Sequence, residues 1–527
     1  MNSSVIPRSV HKRGLYLGVL PEMAAERDGS TPTILDHDLD VLPEVKRRLT
    51  VGELAGHVDD LARRLAAAGV RPGDRVAFYK APNFDLWMLG SATARVGAVP
   101  VMLSHHLDAE TMSALFGRLD RPHLVTDVER LDGLAGISLK DLTRNVILSA
   151  GSRPGAVSLA DLAGAPPVEP VFQGLDEPAM ITHTSGTTGV PKLVVHTPRT
   201  MRLRLRPQLV LLGMMWNRGS VAIHCPFGHS RTFAAMSLCL VKAMPVLAVN
   251  NSDPDHAAEF FAQHEPWLIE ALPNSFLAWE ELTSDPRRPF ASVKYFSSTF
   301  DAIHPRTISR LLASSRRRLP MFYQIYGQSE VGPAVGRPYF RRSAQRMDGR
   351  CVGYAMLGGP RVRVVSRDGA RPSKASPGYI EVRWKALLHT YLGEEGKHAA
   401  NLRDGWWRMG DVGYRTKLGC VHMLDREVDV IPGVDSTLEI EDIVMNRLSE
   451  LNEMVIVPGP RSEPVPVLST IGDQPLDPDR WRDAVADLPQ LADPIQIPLA
   501  DLPRTATLKV QRIKLSRRLA DQMEKQA

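Results

Sequence analysis

Between Thr50 and Leu103 the chain switches repeatedly from a helical to a strand pattern, and this alternation restricts its fold more than any other feature. Leu54, Val58, Leu61, Leu65 and Ala68 recur at helical spacing behind Thr50, a residue suited to capping a helix start. Gly69 is placed to end that helix, and Arg71-Pro72-Gly73-Asp74 to turn the chain into a strand at residues 75–79. A second helix-like run, residues 86–96, leads through Gly97 into an apolar strand at 98–103. Short β-branched runs joined by helices call for an α/β sheet domain. At 527 residues the chain is too long for one ordinary core, so two or more domains are expected.

Residues 184–192 read Thr-Ser-Gly-Thr-Thr-Gly-Val-Pro-Lys, with four hydroxyls, two glycines and one cation. Glycines let a backbone approach a ligand closely, and successive N–H groups in such a turn form an anion-binding nest. Hydroxyls add donors, and Lys192 adds a point charge. The chemistry suits a polyphosphate. It is not a Walker loop, because Val190 and Pro191 separate Gly189 from the lysine. Leu193-Val194-Val195 resumes a β-branched run, so strand–loop–strand is predicted. A surface hairpin that binds nothing shares that local form, but the hydroxyls and lysine favour a ligand.

A formal net charge of +5 is slight for this size, and no basic stripe with interleaved aromatics stands out, so nucleic acid is not expected as a partner. Arg316-Arg317-Arg318, the spaced Arg199, Arg202, Arg204 and Arg206, and Arg231 read as solvated arginines. Cys225, Cys239, Cys351 and Cys420 lie far apart without a CxxC pair. That spacing argues against a zinc site or a disulfide framework and fits a cytoplasmic location. No secretory signal is apparent at the N-terminus. The longest apolar stretch, residues 233–249, is broken by Lys242 and Pro245 and reads as core, so no membrane partner is expected. Residues 151–170 read as a surface connection, and residues 1–48 carry few periodic signals.

Further motifs follow the phosphate-suited loop in order. They are Pro226-Phe227-Gly228-His229, Tyr326-Gly327-Gln328-Ser329-Glu330, Pro377-Gly378-Tyr379-Ile380-Glu381-Val382, Gly405-Trp406-Trp407-Arg408-Met409-Gly410-Asp411, Asp425-Arg426-Glu427-Val428-Asp429, and Pro503-Arg504-Thr505-Ala506-Thr507-Leu508-Lys509. From about residue 50 onward the chain resembles the adenylate-forming superfamily of acyl-CoA synthetases, peptide-synthetase adenylation domains and firefly-type luciferases. The resemblance implies an α/β fold with a large adenylating domain of mixed sheets and helices, residues 1–425. A small, mobile α+β C-terminal domain, residues 426–527, would carry the catalytic lysine.

The implied cofactors are ATP and Mg2+. Thr184, Ser185, Gly186, Thr187, Thr188, Gly189 and Lys192 match the family's phosphate loop, and Tyr326, Gly327, Gln328 and Ser329 its adenine and α-phosphate contacts. Glu330 matches the magnesium carboxylate, Asp411 the ribose acceptor, Arg426 a ribose or phosphate contact, and Lys509 the catalytic lysine. Phe227, His229, Thr299 and Phe300 fall where relatives line the acid pocket, with His229 weighed evenly between a catalytic and a structural histidine. Thr299 and Phe300 stand where relatives carry glycines, which implies a short, narrow pocket. Val428 replaces a polar hinge residue, the loop at 431–438 is short, and Leu508 replaces a glycine.

The expected reaction is activation of a small, aromatic acid as its AMP anhydride with release of pyrophosphate, then transfer to a small amine. Three alternatives stand beside it. One is an acyl-CoA ligase; another adenylates a non-carboxylate acid such as nitrite for N–N bond formation, as in diazotase-like members. The third is a degenerate nucleotide-binding interaction protein, against which Lys509, Glu330, Asp411 and Arg426 speak.

Overall fold

The computed structural model describes residues 13–184, 190–215, 218–344, 346–505 and 509–526. The expected helix forms at Val51–Ala67, and Thr50 and Glu53 cap it reciprocally, each side chain accepting from the other's backbone N–H. Its stripe Leu54, Val58, Leu61 and Leu65 is completely or almost completely buried. The strands Arg75–Tyr79 and Val99–Met102 pair in parallel, as the intervening helix Asp85–Arg95 requires.

These strands belong to a seven-stranded sheet in which Arg75–Tyr79 is central, with Met180–His183 and then Leu193–His196 at one side. The connection at 151–170 differs from expectation, because Val157–Ser158 adds an edge strand to this sheet. A second, fourteen-stranded sheet contains the parallel strands Pro32–Leu35, Val246–Ala248, Val221–His224, Leu268–Ala271, Tyr295–Ser298 and Met321–Gln328. It continues through antiparallel strands as far as Arg361–Val365. The apolar stretch at 233–249 is core, supplying the helix Ser230–Lys242 and the strand Val246–Ala248. Among the described residues no helix is long and apolar enough to cross a membrane.

The C-terminal part is a small α+β domain with its own three-stranded sheet: Leu451–Pro458, Pro464–Thr470 and Ile495–Gln496. The helices Thr437–Arg447, Pro478–Val485 and Arg512–Gln526 accompany it, and its two apolar clusters begin at Ile431 and Val455.

The cysteine expectation needs correcting. Cys351 and Cys420 form a disulfide, with sulfurs 2.14 Å apart across a sequence separation of 69 residues. The cause is register: Cys351 pairs with His422 on adjacent antiparallel strands, which no spacing in the sequence announces. Cys225 and Cys239 are buried free thiols.

Asp425 ties the large sheet to the first C-terminal helix. Its carboxylate accepts from the Thr437 N–H at 3.1 Å, the Thr437 hydroxyl at 2.6 Å and the Leu438 N–H at 3.3 Å. Burial pushes its pKa up to about 6 despite those donors and Arg512. The folded-state value lies above the unfolded one, so protonated Asp425 favours the fold. That stability is full below about pH 4 and is lost as pH rises through about 6. Asp425→Asn, which stays neutral and still accepts, is therefore expected to be more stable than wild type at pH 7.5 by on the order of 2 kcal/mol. The advantage should vanish near pH 4. Thermal melts of both proteins across this range check it, and parallel curves would refute the assignment.

Candidate active site

Strands present their next residues at their carboxyl ends, and ligands of parallel sheets bind there. Both sheets aim these ends at one cavity of about 500 Å³. Lys80 and Pro82 follow Arg75–Tyr79, residues 103–105 follow Val99–Met102, and Thr184 follows Met180–His183. From the other sheet, residues 226–231 follow Val221–His224, Pro273 and Asn274 follow Leu268–Ala271, and residues 299–304 follow Tyr295–Ser298. The C-terminal domain closes the space with Glu453, Arg504, Lys509 and Arg512, among others.

The strand–loop–strand expectation for 184–192 holds, since Met180–His183 and Leu193–His196 pair antiparallel. The loop's ends are tied by Thr184 N–H to the Lys192 carbonyl at 3.0 Å and by Lys192 N–H to the Thr184 hydroxyl at 3.2 Å. Ser185, Gly186, Thr187, Thr188 and Gly189 lie outside the described residues. The Lys192 ammonium sits 4.9 Å from the centre of the Tyr391 ring.

Tyr326, Gly327 and Gln328 are the last residues of the strand Met321–Gln328, whose register shifts at Tyr326/Gly327. Only glycine fits at 327, because a Cβ would come within 2.2 Å of the Gly332 carbonyl. Glu330 follows in the turn, buried to 7% exposure, and accepts from the Tyr391 hydroxyl at 2.6 Å. Tyr391 was missed by sequence reasoning. It approaches both Lys192 and Glu330 through a backbone bridge to Val194, a juxtaposition that no local motif encodes.

Tyr326 donates its hydroxyl to Asp411, and Arg426 stands 3.9 Å from the same carboxylate. Burial raises the pKa of Asp411, opposed by Arg426, Tyr326 and Lys509. Lys509 lines the same cavity and also lies close enough to His229 to depress its pKa.

His229 is held to a pKa of about 3, chiefly by burial, with His183, Arg231 and Lys509 adding repulsion. It is neutral at any working pH. Its Nδ1 accepts the Arg231 N–H at 3.0 Å, so Nε2 carries the proton and His229 is a donor there, not a base. The Phe300 ring packs on it edge-on at 4.8 Å. Phe300 has φ of +83°, the left-handed region that glycine favours, and it places a ring where that backbone would ordinarily carry no side chain. Such backbone costs on the order of 1–3 kcal/mol and is held by its surroundings. Thr299 and Phe227 line the same cavity.

Two arginines read as solvated are not. Arg204 is 7% exposed, and its guanidinium donates to the carbonyls of Ser329 (2.9 Å), Glu330 (2.7 Å) and Ala386 (2.9 Å) and to His196 Nδ1 (3.0 Å). Arg231 has 10% of its side chain exposed and is ion-paired with Glu270. Helical periodicity hid both, since an exposed and a buried arginine look alike in sequence. Arg199, by contrast, is on the surface with Asp176, and Arg316–Arg318 are exposed.

The AMP-binding enzyme model matches residues 22–392. The chain is 44% identical to a 3-amino-2-hydroxy-4-methoxybenzoate diazotase from Streptomyces cremeus, over 98% of this chain and 97% of that protein. It is 26% identical to a 3-aminoavenalumate diazotase from a Streptomyces species, over 79% and 74%. Among solved structures, the anthranilate CoA ligase AuaEII in complex with anthranoyl-AMP superposes with a TM-score of 0.81 at 16% identity, covering 99% of this chain and all of that one.

Proposed function

The chain belongs to the AMP-binding enzymes, the ATP-dependent, adenylate-forming ligases, and from that premise we propose that it is a diazotase. It adenylates nitrite and passes the activated nitrogen to the amine of an aminoaryl acid. The observation that carries this reading is the full-length likeness, at 44% identity, to the benzoate diazotase. The Phe300 ring against His229 supports it, because it narrows the place where an acyl chain would run and leaves room for a small oxyanion. On this reading the aromatic acid expected from sequence is the acceptor, and the group activated is the alternative, nitrite.

A nitrite oxygen attacks the α-phosphate of ATP, the bond to the bridging oxygen breaks, and pyrophosphate leaves. Lys509 faces the charge that grows on the phosphoryl oxygens, and neutral His229 donates its Nε2 proton as a hydrogen bond to the nitrite. Thr184 and Lys192 hold the ends of the loop that escorts pyrophosphate. Asp411 accepts from the ribose and Tyr326 packs against the adenine. The residues present fit magnesium: Glu330 commits one carboxylate oxygen to Tyr391 and keeps the other, and a single carboxylate shared with phosphates suits that ion. When bound there, Mg2+ neutralises phosphate charge.

In the second half the arylamine nitrogen attacks the nitroso nitrogen, the N–O bond to AMP breaks, and AMP leaves with the electron pair. The amine releases a proton, giving an N-nitrosoarylamine, which tautomerises and loses hydroxide to leave a diazonium group. We place the pivot between the two halves in the segment from Asp425 to Asp429.

The test is ATP–pyrophosphate exchange with nitrite and with a panel of aryl carboxylates, followed by mass analysis of products from 15N-nitrite and an aminobenzoate. Nitrite alone should drive exchange, and the label should appear bonded to the aryl nitrogen. Exchange driven by an aryl carboxylate and not by nitrite, with a CoA thioester as product, would replace this reading with an aryl-CoA ligase.

A further inference from the structure

Arg231 carries a feature that adenylation does not use. A guanidinium has five N–H donors. Here Nε and Nη2 donate to the two oxygens of Glu270, and Nη1 donates to Gln208 Oε1. One N–H remains on each terminal nitrogen, a pair of donors that the two oxygens of one carboxylate can bridge. Both Arg231 and Gln208 line the cavity, where Met102, Phe227, Phe233 and Ala234 offer apolar surface to a ring.

The neighbouring residues fix where those donors sit. Gln208 sits one turn beyond Arg204 and donates to its carbonyl at 3.2 Å. Arg204 is itself buried, and its hydrogen bonds go to carbonyls and an imidazole, not to a carboxylate. The Glu330 carboxylate acts on Arg204 through space, so Glu270 is left to Arg231 alone. What is left for a ligand on Arg231 is the pair of N–H donors. Buried N–H donors without acceptors are costly, and a bound carboxylate would satisfy both.

An enzyme that activates an aryl carboxylate must bring that group to the α-phosphate, and a buried cation elsewhere on the wall would compete for it. An enzyme that activates nitrite has the opposite need: the amine faces the adenylate, and the carboxylate does not react. We propose that Arg231, held in place by Glu270 and Gln208, is the specificity-determining residue that grips the non-reacting carboxylate of the aminoaryl substrate. The assignment rests on the diazotase reading.

Arg231→Gln alone would strand Glu270, so the informative variant is the double change Arg231→Gln with Glu270→Gln, beside the single Arg231→Lys. With ATP and nitrite saturating, kcat/KM is measured for 3-aminobenzoate and for aniline, the diazo product being read by azo coupling. Wild type should prefer the acid by about 30-fold or more, as expected when a charged hydrogen-bond pair is lost. In the double variant the ratio should collapse toward one, through KM, and Arg231→Lys should recover only part of it. An unchanged ratio, or a wild type without preference, overturns the proposal. If the double variant does not fold, Arg231→Lys decides alone, and a full preference there overturns it. Should wild type show no nitrite-dependent exchange, the diazotase reading fails by itself. Calorimetric binding of 3-aminobenzoate to the ATP-loaded enzyme then separates the two: binding lost in the double variant keeps Arg231 as the carboxylate grip, and binding retained removes it.

Discussion

Replacing Lys509 with alanine is expected to lower nitrite-dependent pyrophosphate exchange by about a hundredfold or more. Lys509 lines the cavity from the C-terminal domain and acts electrostatically on both His229 and Asp411. The Thr505 N–H donates to the Lys509 carbonyl at 2.8 Å, and the Lys509 N–H to the Thr505 hydroxyl at 3.2 Å, which fixes the backbone that presents it. One oriented cation facing developing phosphoryl charge contributes on the order of 3 kcal/mol to the transition state. Because that charge develops only during the reaction, the loss should fall on the rate, and ATP should still bind. Exchange kinetics together with nucleotide binding check this. Near-wild-type exchange would take Lys509 out of the chemistry and turn attention to Lys514, which is exposed on the following helix.

The second large effect is expected at Arg204. Its guanidinium supports the Ser329–Glu330 turn from beneath by holding both carbonyls, and it also holds Ala386 and His196. Burial brings its pKa down to about 10, so it remains charged at neutral pH. Arg204→Ala leaves several buried acceptors unpaired, each worth about 1–3 kcal/mol. Relaxation and water entry recover part of this, so a loss of roughly 3–5 kcal/mol in unfolding free energy is expected. Arg204→Lys should restore little, since one ammonium cannot reproduce a planar fork spread over these partners. Urea unfolding of the three proteins decides it. A loss under about 1 kcal/mol in the alanine variant would mean the turn is held by other means, such as the Leu388 N–H that also reaches the Glu330 carbonyl at 2.7 Å.

The same arginine shows where sequence reasoning stops. Along the helix Pro198–Gly213, Arg199, Arg202, Arg204 and Arg206 look equivalent, yet the first lies on the surface and the third beneath the Glu330 turn. The difference is made by residues more than a hundred positions away. Glu270, which pairs with Arg231, and Tyr391, which holds Glu330, arrive in the same manner from distant strands and loops. Likewise the 69-residue gap between Cys351 and Cys420 says nothing until two strands set their register.

What the sequence determined by itself is everything carried by local period and local chemistry. The helix–strand alternation after Thr50, the capping box at Thr50 and Glu53, and the strand–loop–strand around the phosphate-suited nonamer need only neighbouring residues. The ordered motifs that end in Lys509 and carried the family resemblance belong with them, since each is a short run. Tertiary structure alone decided which charges are buried and what faces them. Burial and pairing are pairwise properties of distant segments, set when two sheets turn their carboxyl ends to one cavity. A side chain's protonation, its partner and its reach follow from that meeting, as the neutral His229 and the paired Arg231 do here.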